Sequence, residues 1–167
     1  MTSLLLRCRA LVPIACLLAC VPLLQNRPHA IQQSPGADTG LLRVERVVDG
    51  DTLVVDGIGR VRLIGVDTPE SVHPTRAVEH FAKEAAEFLR RLVGRQTVRL
   101  EYDQLRTDRY GRTLAYVFLS DDTFVNEQII REGYGFAYTR YPFRYLDRFR
   151  QREREARAAR VGLWADQ

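Results

Sequence analysis

Three short segments of this 167-residue chain gather acidic and basic side chains where a core strand would not place them. The first is Asp49-Gly50-Asp51-Thr52, two carboxylates around a glycine at a strand junction. Asp and Gly are also what a plain turn prefers, so this segment alone fits a cation site or a turn. The second, Arg62-Leu63-Ile64-Gly65-Val66-Asp67-Thr68-Pro69-Glu70, sets an arginine inside an apolar strand and two carboxylates around the proline turn at its exit. Alternation along one continuous strand places Arg62 on the face of Ile64 and Val66, and a charge among hydrophobes needs a partner. The plain alternative is a solvent-facing Arg62 at a barrel edge, with Asp67 capping the turn. The third, Thr107-Asp108-Arg109-Tyr110-Gly111-Arg112, reads by itself as a polar hairpin loop. In company with the others it supplies a second arginine. Two guanidinium groups near hard carboxylates suit the hydrolysis of a phosphoryl bond. Calcium or magnesium takes carboxylate, carbonyl and water oxygens, and arginines neutralise the charge that builds on pentacoordinate phosphorus. A spare carboxylate orients or deprotonates the attacking water.

The elements that must position these residues follow from the apolar pattern. Leu42, Val44, Val47 and Val48, then Thr52 to Val55, then Arg60 to Val66 read as three strands, with Asp56-Gly57 as the hairpin turn between the second and third. From His80 to Val93 the residues Phe81, Ala85, Phe88, Leu89 and Leu92 recur at helical spacing, and Gly94 marks the stop. Thr97 to Tyr102 and Thr113 to Leu119 alternate as strands, and Phe124 to Glu132 and Tyr145 to Ala159 read as two more helices. Five short strands with one interposed helix are compatible with a small Greek-key barrel of the OB type.

Composition sets the frame. An apolar fraction of 46% with 28% charged residues is that of an ordinary globular domain. The formal charge of +4 owes much to Arg7, Arg9 and Arg27, since beyond residue 30 there are 22 basic groups against 21 acidic ones. Bulk charge therefore does not argue for a polyanion partner. Between Arg140 and Arg160 eight arginines face Asp147, Glu153 and Glu155, a run that fits either a solvated helix face or a phosphate track. Cys8, Cys16 and Cys20 all lie near the N-terminus, so the rest of the chain can form no disulfide and no zinc cluster. There, Arg7 and Arg9 precede an apolar run from Leu11 to Leu24, which as helix would span roughly 21 Å against a hydrocarbon core of roughly 30 Å. That is the pattern of an export signal, or of a tether if Cys20 is a lipoprotein-type site. Residues 1–30 are thus expected to be a signal peptide or membrane-tethering segment, 31–40 a linker, and 41–167 the domain.

Taken together, the three segments resemble the staphylococcal nuclease (thermonuclease) family. The correspondence runs from about Val44 to Trp164 and extends to His73-Pro74, Leu114-Ala115-Tyr116, Val125-Asn126-Glu127 and Gly162-Leu163-Trp164. The resemblance implies a mixed β and α fold, a five-stranded OB-type barrel with three α-helices. It also implies a calcium-dependent phosphodiesterase, with magnesium or manganese as alternatives, that cuts DNA and RNA, prefers single strands, leaves 3′-phosphate ends and acts as a monomer. By the same match Asp51 and Asp67 would bind the metal through carboxylates and Thr68 through its backbone carbonyl, with Asp49 beside it. Glu70 would act on the attacking water as base or orienter. Arg62 and Arg112 would grip the scissile phosphate, and Arg109, Tyr110 and Tyr138 would hold the nucleotide. Arg109 stands where the type protein has lysine, which keeps the charge and changes its geometry. The alternative is a nuclease-like module that binds single strands without cutting them.

Overall fold

The computed structural model describes residues 37–69 and 81–165. Strand β1 (Ala37–Asp49) begins ahead of Leu41, where the sequence reading starts the domain, and is followed by β2 (Thr52–Val55) and β3 (Gly59–Leu63). Later come β4 (Val66–Asp67), helix α1 (Ala82–Val93), β5 (Thr97–Glu101), β6 (Thr113–Leu119) and α2 (Val125–Arg131). The chain ends with β7 (Phe136–Ala137), α3 (Leu146–Ala158) and a 3-10 turn at Gly162–Trp164. Five strands close into a barrel in the order β1-β2-β3-β6-β5. The closing pair, β3 with β6, is parallel, while the other pairs are antiparallel. With three helices this is the OB-type barrel expected from the residues. Register shifts in β1 between Val44 and Arg46 and between Val47 and Asp49 bend it, so that one long strand pairs with β2 along one edge and β5 along the other.

The barrel fills with the inward side chains of each strand, among them Val44, Leu53, Val55, Val61, Leu63, Val98, Leu100, Ala115 and Val117, all buried. Helix α1 lays Ala82, Ala85, Ala86, Leu89 and Val93 against this core, and Phe88 and Leu92 are half-buried. Its buried stripe is therefore turned slightly toward the small residues, which allow close approach to β1. The helix starts after His80, because Phe81 holds a left-handed φ of +70° and stacks on Tyr134 at 5.4 Å. The largest departure from the sequence reading lies at Arg60 to Val66, expected as one strand. The strand stops at Leu63, and Gly65 at φ +74° turns the chain so that β4 leaves the barrel to pair with β7. A side chain at Gly65 would stand 2.6 Å from the ring of Phe143, so glycine is required by space as well as by φ.

Candidate active site

The site residues converge because β1, β3 and β4 each release a charged side chain at the same end of the barrel. Asp49 closes β1, and Gly50 lets the chain pass so tightly beneath Thr68 and α1 that a Cβ there would lie 2.6 Å from Thr68 Oγ1. The glycine between the two carboxylates is thus set by packing against the very residues that complete the site. Asp51 follows, 6% exposed, and its backbone N–H donates to Asp49 Oδ1 at 3.1 Å. Its own carboxylate accepts from Thr52 Oγ1 at 3.0 Å and from the Thr68 backbone N–H at 3.3 Å, which ties the β1–β2 turn to the end of β4.

Arg62 lies on β3 opposite Thr52, between the core residues Val61 and Leu63. It therefore points away from the barrel interior, as the half-buried Ile64 does, and the turn at Gly65 separates both from the buried Val66. The partner that burial demands is present twice. Nη1 is buried against Asp51 Oδ2, and Nη2 donates to Asp67 Oδ1 at 3.1 Å. Burial lowers the Arg62 pKa from its ordinary value, against the pull of Asp67 and Asp49. Burial likewise raises the Asp49 carboxyl, while Thr52, Arg62 and Arg112 oppose the shift. The positive charge of Arg112 lowers the pKa of both Asp49 and Arg62.

Arg112 is itself braced. Asp108 accepts its Nε–H at 2.7 Å through Oδ2 and its backbone N–H at 3.0 Å through Oδ1, and also takes the Tyr110 N–H at 2.9 Å. Asp108 carries no role in the sequence reading, although an aspartate whose side chain closes a turn back onto its own loop is a recognisable local signal. Above it Tyr110 is 67% exposed, with the Arg109 guanidinium 4.7 Å over its ring. Tyr138 enters from the other side: β7 pairs Phe136 with Asp67, and the Tyr138 N–H donates to Gly65 O at 2.9 Å. Asn126 is a further support without an assigned role in the sequence reading. Fully buried on α2, it donates to Ile64 O at 2.9 Å and Ala115 O at 3.3 Å and accepts from Val117 N–H at 2.9 Å. It pins the turn between Arg62 and Asp67 to β6, and only the tertiary contact shows why an amide stands there. Glu70 and His73-Pro74 lie outside the described residues.

The fold is a small OB-type barrel with a cluster of carboxylates and arginines at one rim. Residues 60–166 match the family described as staphylococcal nuclease homologue. The chain is 44% identical over 128 residues to the thermonuclease of Staphylococcus hyicus, across 74% of this chain and 75% of that protein. It is 44% identical over 125 residues to the thermonuclease of Staphylococcus intermedius, across 72% and 74%. It is also 35% identical over 144 residues to endonuclease YncB of Bacillus subtilis, across 83% and 66%. The chain belongs to the staphylococcal nuclease family and is a nuclease.

Proposed function

We propose that this nuclease is a calcium-dependent phosphodiesterase, an endonuclease that hydrolyses DNA and RNA, prefers single strands and leaves 3′-phosphate ends. The observation that carries the reading is the double clasp of Arg62 by Asp51 and Asp67. Two hard carboxylates that converge on one positive group suit a divalent cation, and the set contains no soft donor. Asp51, Asp67 and the Thr68 carbonyl would hold it, with Asp49 beside them, and magnesium or manganese would use the same oxygens. When bound, the cation supplies Lewis-acid polarisation of a phosphoryl oxygen. A guanidinium offers five donors, so pairing with two carboxylates leaves Arg62 others for the scissile phosphate. Arg62 and Arg112 offset the charge that builds as water attacks phosphorus. Glu70 orients that water or takes its proton. The bond from phosphorus to the 5′ oxygen breaks, Arg112 meets the charge on the departing oxygen, and the phosphate stays on the 3′ side. Arg109, Tyr110 and Tyr138 hold the flanking nucleotide. Asp67→Asn is expected to abolish calcium-dependent cleavage and to weaken calcium binding in titration calorimetry. Unchanged calcium affinity would refute the assignment.

Export belongs to the same proposal. It is supported by the basic start at Arg7 and Arg9 ahead of the short apolar run from Leu11 to Leu24. Among the described residues no helix is long and apolar enough to cross a membrane. Mass spectrometry of the mature protein is expected to find the N-terminus removed or lipid-modified, and an intact Met1 on cytoplasmic protein would sink the proposal.

A further inference from the structure

We propose that Arg106 forms a second phosphate subsite, which holds a phosphodiester of the substrate strand beside the one that is cut. The proposal rests on the nuclease reading above and deepens it. The β5–β6 loop is a short hairpin. In it Thr107 bridges Thr113, the Leu114 N–H donates to Arg106 O at 2.9 Å, and the Asp108 N–H donates to Arg112 O at 3.0 Å. Arg106 thus stands opposite Leu114 and Asp108 opposite Arg112, and the alternation of the ladder turns all four to one face. Arg106 and Arg112 are diagonal neighbours on that face, a relation that sets residues roughly 7–8 Å apart and within reach of long side chains. A strand whose scissile phosphate meets Arg112 therefore carries its next phosphate within the span of Arg106. The surroundings suit an anion. A cavity of about 450 Å³ is lined by Arg106 with Tyr102, Asp103, Gln104 and Arg144. The Arg106 guanidinium lies 4.4 Å over the Tyr102 ring, which holds its plane and leaves the N–H edge for hydrogen bonds. Arg106 is exposed and makes no ion pair among the described residues. Asp103 lines the same cavity, but its carboxylate is taken up by the Tyr116 hydroxyl and by the backbone N–H groups of Gln104 and Arg144. Arg144 adds a second cation, shared with Glu101 and the Tyr102 carbonyl. The planar fork of arginine matches two phosphate oxygens, and a contact to the backbone serves a strand of any sequence.

The test scans a short single-stranded DNA in which one linkage at a time, away from the cut, is a neutral methylphosphonate. In the wild-type protein one such position is expected to raise KM about five-fold with kcat unchanged. Arg106→Gln is expected to raise KM by about the same factor on the all-phosphate strand and to make that position indifferent, because the cation that answered it is gone. The same variant should cut a dinucleotide, which has no second phosphodiester, with a kcat/KM within about two-fold of wild type. Arg106→Lys is expected to recover part of the loss, since it keeps the charge without the fork. Arg157→Gln, at an arginine already paired with Glu153, should leave every substrate unaffected and serves as the control. A scan that stays position-dependent in Arg106→Gln, an equal change on dinucleotide and strand, or no change on either overturns the proposal. So does a lowered melting temperature in Arg106→Gln with the scan unaltered, which would make the arginine a cover for Tyr102. Wild-type protein that neither binds nor cuts a single strand would overturn the nuclease reading beneath, and the subsite with it.

Discussion

Arg62 and Arg112 lie in one electrostatic cluster but are held in different ways, and the difference governs what their loss does. Arg62 is largely buried beside Asp51 and Asp67, so removing it takes the cation from the buried Asp51 carboxylate as well as any contact Arg62 makes to substrate. Arg112 is anchored by Asp108 within its own loop, so its removal leaves the barrel intact. Arg112→Ala is therefore the cleaner probe of transition-state charge. Losing one positioned donor costs about 10²–10³ in rate, and losing a transition-state arginine roughly 10³–10⁵. Turnover is expected to fall by orders of magnitude while single-stranded DNA still binds within about ten-fold, as rapid-quench kinetics and fluorescence anisotropy would show. A collapse of affinity with normal turnover of bound substrate would make Arg112 a binding residue and restore the reading of a binding module.

At the scale of elements, the attachment of α3 to α2 is electrostatic as much as apolar. Glu127, next to Asn126 on α2, accepts from Arg148 Nε at 2.8 Å and from Arg152 Nε at 2.6 Å, both on α3. Burial pushes the Glu127 carboxyl up, but the hydrogen bonds from Arg148 and Arg152 outweigh it and hold the group below its usual range. A carboxylate depressed in the folded state stabilises the fold above its unfolded pKa of about 4.3, and that stability is lost as the pH falls through the folded value. Glu127→Gln is expected to cost roughly 1–2 kcal/mol at pH 7 and to flatten the decline of melting temperature below about pH 4.5. Calorimetric melts across that range check it, and an unchanged acid slope would remove Glu127 from the account. Because α2 also carries Asn126, this clamp bears indirectly on the turn between Arg62 and Asp67.

For the whole molecule, the basic run from Arg140 to Arg160 stays at the surface but is largely taken up in ion pairs. Arg144 engages Glu101 and the Tyr102 carbonyl. Arg148 and Arg152 take Glu127, Arg152 also reaches Glu155, and Arg157 pairs with Glu153. The run is mainly a set of ion pairs, and the cations it leaves without one among the described residues are Arg140, Arg154 and Arg160, beside those of the β5–β6 loop. Arg109→Gln is accordingly expected to reduce the slope of log affinity against log salt by about one, whereas Arg157→Gln, at an arginine already paired with Glu153, leaves it unchanged. Equal effects of the two substitutions would place the phosphate track on α3 after all.

The strands, the helices and the identity of the charged residues were legible in the sequence, because apolar period and turn chemistry are local properties and a charge set into a strand must be answered somewhere. Asp49, Asp51, Arg62, Asp67 and Arg112 could be singled out for that reason, and their order along the chain matched a known family. What answered Arg62 could not be read locally. It depends on Gly65 breaking the strand, on β4 finding β7, and on Asn126 reaching back across 62 positions to hold the turn. The fate of the C-terminal arginines depended likewise on which carboxylates packed opposite them. Sequence period sets the direction of a side chain relative to its own backbone, and only the closed barrel decides what stands in front of it.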